Sequence, residues 1–256
     1  MDINGKTAII TGGASGLGEA TVRLFHKLGA NVTILDMNDE LGNKLASDLG
    51  SNALFAKADV TDEDAVRDVI ATTEEAFGNI HIVCNFAGVA PAIKTYGKNG
   101  PHPLDVFQKT IGINLIGTFN VARLASESMF KNDPVTDDGQ RGVIINTASV
   151  AAFEGQMGQA AYSASKGGVV GMTLPIARDL ASIGVRCNTI APGLIHTPLF
   201  NNLPENAVQS LSEQPLNPRR LGQPSEIART AQFIVENDYV NGEVIRVDGG
   251  IRMQAR

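Results

Sequence analysis

Cysteine is scarce in this chain: Cys84 and Cys187 are the only two in 256 residues, far apart and forming no CxxC pair. That usage argues against a disulfide framework or a thiolate metal site and makes a reducing compartment the expectation. Histidine is also sparse, at four residues. His26, His81, His102 and His196 have no metal-ligand spacing, so no metal is expected. The absence of a GxSxG elbow sets aside a Ser-His-Asp hydrolase. Basic blocks are missing and the formal net charge is −6, which makes nucleic acid and anionic membranes poor partners. No apolar run approaches the roughly 20 residues needed to span a bilayer. Only a few residues precede the first strand-like segment, so neither a secretory signal nor a cleavable transit peptide fits. The expected location is cytoplasmic, with a mitochondrial one the alternative for a eukaryotic protein carrying an uncleaved signal.

What is present is a balanced globular composition, 43% hydrophobic, in a chain long enough to bury a core without staples. "KTAIIT" (6–11), "NVTILD" (31–36), "ALFAKADV" (53–60), "IHIVCNFAG" (80–88), "GVIINTAS" (142–149), "VRCNTIAPG" (185–193) and "GEVIRVDGG" (242–250) read as strands. Helical patterns alternate with them. In "EATVRLFHKLG" (19–29), for example, Ala20, Leu24, Phe25 and Leu28 fall at helical spacing and Gly29 suits a C-cap. Such alternation predicts βαβ units: one α/β, Rossmann-type, doubly wound domain over 1–256, with about seven parallel strands between helices. Two stretches break the rhythm, "PAIKTYGKNGPHP" (91–103) and the proline-containing 194–224. Both begin at the carboxyl edge of the sheet, where ligands bind in this architecture, and are candidate substrate loops.

The turn "TGGASGLG" (11–18) lies between the first strand and the first helix. Gly12, Gly16 and Gly18, with Ser15 and Leu17 between them, permit a tight turn that exposes free helix N–H groups to a pyrophosphate. Asp36 ends the second strand, 18 positions beyond Gly18. A carboxylate there can accept hydrogen bonds from both adenosine ribose hydroxyls and repels a 2′-phosphate. No lysine or arginine lies in the glycine turn or just after Asp36 to offset that repulsion, so the expected cofactor is NAD and not NADP. Asp59 and Val60 could meet the adenine, and the small strand end Asn85, Phe86, Ala87 and Gly88 could lie against a cofactor ribose.

Ser149 follows the strand "VIIN" and precedes "YSASK" (162–166), where Tyr162 and Lys166 stand i to i+4 on one helical face. Asn114 falls in the helical pattern "IGINLIGTFNVAR" (111–123). The TGxxxGxG turn, the NxAG strand end, the helix asparagine and the serine followed by YxxxK together resemble the short-chain dehydrogenase/reductase family over nearly the whole chain. Within it, "NTASVAAFEGQMGQAAYSASK", "VNGEVIRVDGG" and "IRMQ" are similar to the subfamily of type 2 3-hydroxyacyl-CoA dehydrogenases, as is the loop at 91–103.

The resemblance implies an enzyme that moves a hydride between a secondary alcohol and NAD. A free phenol has a pKa of about 10, too high for an efficient base at neutral pH. An adjacent ammonium favours the phenolate. Tyr162 is then the acid/base, Lys166 lowers its pKa while binding the nicotinamide ribose, and Ser149 holds the substrate oxygen. By resemblance alone, Asn114 holds a water leading from Lys166 to solvent, and Pro192, Ile195 and Thr197 contact the cofactor. The same resemblance makes the substrate an acyl-CoA and the assembly a homotetramer. Leu199, Phe200 and Leu203 suggest an apolar lid; Lys94, Lys98, Arg219 or Arg220 could meet coenzyme A phosphates, though solvation alone also accounts for them. Oxidation of a hydroxysteroid or other secondary alcohol remains an alternative, as do 3-oxoacyl carrier protein reduction and a dinucleotide-binding scaffold without turnover.

Overall fold

In the computed structural model, which describes residues 1–198 and 205–255, the β-branched runs pair into a seven-stranded sheet whose strands are all parallel. The strands are β1 (Thr7–Thr11), β2 (Asn31–Asp36), β3 (Ala53–Lys57), β4 (Ile82–Asn85), β7 (Gly142–Thr147), β8 (Val185–Pro192) and β9 (Val244–Val247), in the order β3-β2-β1-β4-β7-β8-β9. A small antiparallel pair, β5 (Tyr96–Gly97) and β6 (Gly100–Pro101), forms inside the 91–103 excursion, where no strand is expected from the sequence.

Alternation along each strand feeds two cores. Ala8 and Ile10 of β1, with Val143 and Ile145 of β7, pack under α1 (Gly16–Lys27), α2 (Asp39–Leu49) and α8 (Pro224–Glu236). Ile9 and Ile144 point the other way, against α3 (Glu63–Phe77), α5 (Thr118–Phe130) and α6 (Ala160–Leu180). Both faces of the sheet are covered, as continuous apolar strands require. The helix α6 runs on through Pro175. Gly29, at φ +90°, follows the end of α1 as a left-handed stop.

The order reverses direction between β1 and β4: β2 and β3 extend to one side and β7, β8 and β9 to the other. At such a switch point the connections after neighbouring strands part and leave a crevice at the carboxyl ends. The observed strands β3, β4, β7 and β9 stop two or more residues before the expected ends. The residues left over turn out of the ladder and build the rim of the crevice.

Candidate active site

The glycine turn is shaped by what it must pass. Gly12 has φ +62°, and a Cβ there would fall 2.9 Å from the Ala87 nitrogen. A Cβ on Gly18 would fall 2.1 Å from the Gly12 carbonyl oxygen. Side chains at these positions would separate the turn from the end of β4 and from its own helix. Thr11, a residue the sequence reading left unassigned, completes the junction: its hydroxyl accepts the Ala87 N–H at 3.1 Å. The turn therefore presents the start of α1, with Ser15 as N-cap and no side-chain capping bond, as free N–H groups facing the crevice.

Asp36 stands at the end of β2 beside this turn. One carboxylate oxygen accepts the Ala14 N–H at 3.1 Å and the other the Asn38 N–H at 2.9 Å. A carboxylate offers about four lone-pair sites, so both oxygens keep capacity for a diol. Asp59 accepts the N–H and hydroxyl of Thr61 at 2.9 and 2.8 Å, and Val60 lies against Gly117. The turn, Asp36 and the small β4 end fit an adenosine diphosphate group in shape and charge.

A second cluster lies across the crevice. Gly88 is close to both Asn114 and Lys166: a Cβ there would sit 3.1 Å from Asn114 Oδ1 and 3.6 Å from Lys166 Nζ. The Lys166 ammonium is buried and donates to the Thr147 carbonyl at 2.7 Å. It also lies 5.8 Å from the centre of the Tyr162 ring. Burial disfavours both charged forms, pulling Lys166 down to about 8 and pushing the Tyr162 phenol up from its ordinary value. The Ser149 hydroxyl opposes the second shift. Ser149 itself is extended at the end of β7 and accepts the Ala151 N–H at 3.1 Å, which aims its hydroxyl out of the strand.

Asn114 occupies a setting that the helical pattern did not reveal. Residues Gly112–Gly117 form a π-helical segment between α4 (Leu104–Ile111) and α5. Such a segment inserts one extra residue in a turn and commonly marks a functional site. The Asn114 amide clamps Val89, accepting its N–H and donating to its carbonyl, both at 2.8 Å, and also donates to Ser165 Oγ at 3.0 Å. Ser165 in turn donates to the Tyr162 carbonyl at 2.7 Å. These bonds use both amide hydrogens of the side chain, and the Asn114 backbone carbonyl accepts the Thr118 hydroxyl at 2.8 Å. Ser165 carried its signal inside "YSASK", and Thr147 sits two residues before Ser149.

Residues 194–198 pass over the turn, and the two ends of the 194–224 stretch meet. Its two legs join where the His196 N–H donates to the Gly222 carbonyl at 2.8 Å and the Gly222 N–H to the Leu194 carbonyl at 2.9 Å. The Ile195 side chain is buried in the core, but this pairing leaves the backbone amide groups of Ile195 out. Thr197 and Pro198 pack over Gly16, each about 3.6 Å from where a Cβ would stand. Pro192 is buried at the end of β8, and His196 is exposed. Leu199, Phe200 and Leu203 lie outside the described residues. Of the cations weighed for coenzyme A, Arg220 is held by Glu226 through two bonds of 2.9 Å, while Lys94, Lys98 and Arg219 are exposed.

A sheet-edge crevice with a glycine turn at a helix N-terminus, a carboxylate at the neighbouring strand end and a Ser-Tyr-Lys cluster defines the class: a dinucleotide-dependent oxidoreductase. A sequence profile described as enoyl-(acyl carrier protein) reductase matches residues 12–252. The chain belongs to the short-chain dehydrogenase/reductase family, whose dehydrogenases use NAD(P). It is 55% identical over 254 residues to the 3-hydroxyacyl-CoA dehydrogenase type-2 of Rattus norvegicus and to that of Homo sapiens, covering 98% of this chain and 97% of each relative. A solved structure, the 3-hydroxyacyl-CoA dehydrogenase type-2 from Mycobacterium avium, superposes with a TM-score of 0.93 at 42% identity, over 98% of both chains. Among the described residues, no helix is long and apolar enough to cross a membrane.

Proposed function

We propose that the protein catalyses the reversible, NAD-dependent oxidation of (S)-3-hydroxyacyl-CoA to 3-oxoacyl-CoA. The observation that carries this is the buried Lys166, bonded to the Thr147 carbonyl and 5.8 Å from the centre of the Tyr162 ring, with Ser149 just beyond β7 lowering the pKa of the same phenol. The high identity to the type-2 relatives favours the acyl-CoA substrate over a steroid. When bound, NAD supplies the position that accepts or returns the hydride. Tyr162 removes the substrate's hydroxyl proton in oxidation and returns it in reduction. Lys166 stabilises the phenolate through its positive charge and is placed to hold ribose hydroxyls. Ser149 donates a hydrogen bond to the substrate oxygen as charge develops on it. Asn114 holds Val89 and Ser165 and thereby the spacing between the β4 end and α6.

The cofactor contacts in this reading run from Gly12, Ser15, Gly16, Leu17 and Gly18 through Asp36, Asp59 and Val60 to the 85–88 strand end. Pro192, Ile195 and Thr197 flank the carboxamide end. With acetoacetyl-CoA, NADH absorbance should fall at a rate proportional to enzyme, and a panel of acyl chain lengths should then rank the substrates. NADPH should give a kcat/KM lower by at least ~100-fold, because a like-charge contact such as Asp36 against a 2′-phosphate costs several kcal/mol. NADH binding without consumption by any acyl-CoA would refute the reading, and an NADPH preference would refute the role of Asp36.

The assembly that fits this reading is a homotetramer. Ile116 and Phe119 are exposed on the π-helical segment and α5, Leu174 on α6, and Phe233 and Tyr239 on or just after α8. Gly171 of α6 faces open space, which leaves room for close approach of another helix. Light scattering should return four times the 27.0 kDa chain mass; a 27.0 kDa species would overturn the assignment.

A further inference from the structure

The segment joining Ser149 to Tyr162 is irregular in its middle. After the short turn Val150–Ala152, residues Phe153–Gln159 form no strand or helix. Local bonds, such as the Phe153 and Glu154 N–H groups to the Val150 carbonyl at 3.0 Å, are joined by ties from elsewhere in the chain. Glu154 receives two parallel bonds from the Arg246 guanidinium of β9, at 2.8 and 3.0 Å. Gln156 donates to the Gln254 carbonyl at 3.1 Å, and the Met157 N–H donates to the Ala255 carbonyl at 3.0 Å. On the other side, the Ile93 N–H of the 91–103 loop donates to the Gly158 carbonyl at 2.9 Å.

Arg246 is the hub of these ties. Beyond Glu154 it donates to Asp248 at 2.8 Å and to the Ile251 carbonyl at 3.0 Å, and it lies 5.0 Å over the Phe153 ring. Arg252 completes the cluster, 3.6 Å from Glu154 and 3.5 Å from Asp248, so two cations balance two carboxylates. The side chains of Glu154, Arg246 and Asp248 are only 27%, 22% and 9% exposed. A forked pair this sheltered holds geometry far better than a solvated one. Lysine could not replace the fork, because its ammonium is a single point of charge.

From this arrangement we propose that Arg246 and Glu154 are positioning residues for the reaction, and that the strap 251–255 they secure helps hold the same segment in place. The ties converge on the one stretch that connects the substrate-oxygen ligand Ser149 to the acid/base Tyr162. Arg246 and Glu154 touch neither group. They fix the distance between them, and small displacements of reacting groups are costly. This inference rests on the assignment of Ser149 and Tyr162 above and adds the residues that keep them in register.

The test compares Glu154→Gln, Arg246→Lys, the double variant, and a chain stopped at Ile251, each measured for acetoacetyl-CoA kinetics and NADH affinity. Each variant should raise KM for acetoacetyl-CoA about 10-fold and lower kcat several-fold, with the NADH Kd within about 2-fold of wild type. The double variant should be no worse than either single one, since both break the same pair. Wild-type kinetics in the folded variants would overturn the proposal, as would NADH affinity lost in step with KM, or multiplicative losses in the double variant. Glu154→Gln and Arg246→Lys keep side-chain size, so whichever of them folds carries the test of the pair, and the chain stopped at Ile251, which retains the pair, carries the test of the strap. Failure of the wild-type protein to consume NADH with any acyl-CoA would instead count against the assigned function.

Discussion

Replacing Tyr162 with phenylalanine is expected to lower kcat by about 10²–10⁴-fold, the range contributed by one positioned acid/base. The ring remains, so packing along α6 is kept, and only the hydroxyl that carries the proton is lost. Lys166 keeps its bond to the Thr147 carbonyl, and the glycine turn and Asp36 are remote from the change. NADH affinity should therefore stay within about 2-fold, which fluorescence titration of the variant measures directly. Ser149 cannot substitute, because an aliphatic hydroxyl is a far weaker acid than a phenol. Retention of more than about a tenth of wild-type turnover would rule out the phenol as the acid/base.

Lys166→Met should produce the second large effect, and its signature is in the pH profile. Burial raises the phenol's pKa in the free protein, so the phenolate needs a compensating charge. Lys166, drawn down to about 8, is still mostly charged at neutral pH and supplies it. Alcohol oxidation requires the deprotonated phenol, so its kcat/KM rises with pH through the phenol's pKa. Removing an opposite charge moves such a pKa upward by about 1–3 units. At pH 7 the fraction of active base, and with it kcat/KM, should fall by about 10–10³-fold and recover partly as pH is raised. Rates measured across the alkaline range decide the matter. An ascending limb that stays in place, with a uniform loss at every pH, would show that Lys166 acts only in binding.

Much of this site is local enough to be read along the chain. The glycine turn needs its neighbours in sequence, Asp36 needs only the end of the next strand, and Tyr162 and Lys166 share a helical face through i, i+4 spacing. The parallel sheet follows from apolar runs alternating with amphipathic helices, and all seven main strands lie within the stretches that carry those runs. Strand ends are less legible, because the residues beyond them are equally apolar or small and only the parting of the connections at the switch point ends the ladder. The π-helical setting of Asn114 was hidden for a similar reason: the sequence period there differs by one residue over a single turn. The hairpin Tyr96–Pro101 is too short to announce itself, and its ladder spans two residues on each side.

The ties that hold the reacting groups in place belong to another class. Arg246 and Glu154 are 92 positions apart, and nothing in the two stretches that hold them announces that they pair. Thr11 and Thr147 act through a hydroxyl and a carbonyl whose partners, Ala87 and Lys166, come from other elements. Sequence by itself determined the chemistry available here, because residue type and short-range spacing set which groups can bind phosphate, accept a diol or carry a proton. Tertiary structure alone decided how those groups are charged and held. Burial of the Tyr162 and Lys166 polar ends, and contacts between residues distant in the chain, arise only when the sheet brings its carboxyl edges together.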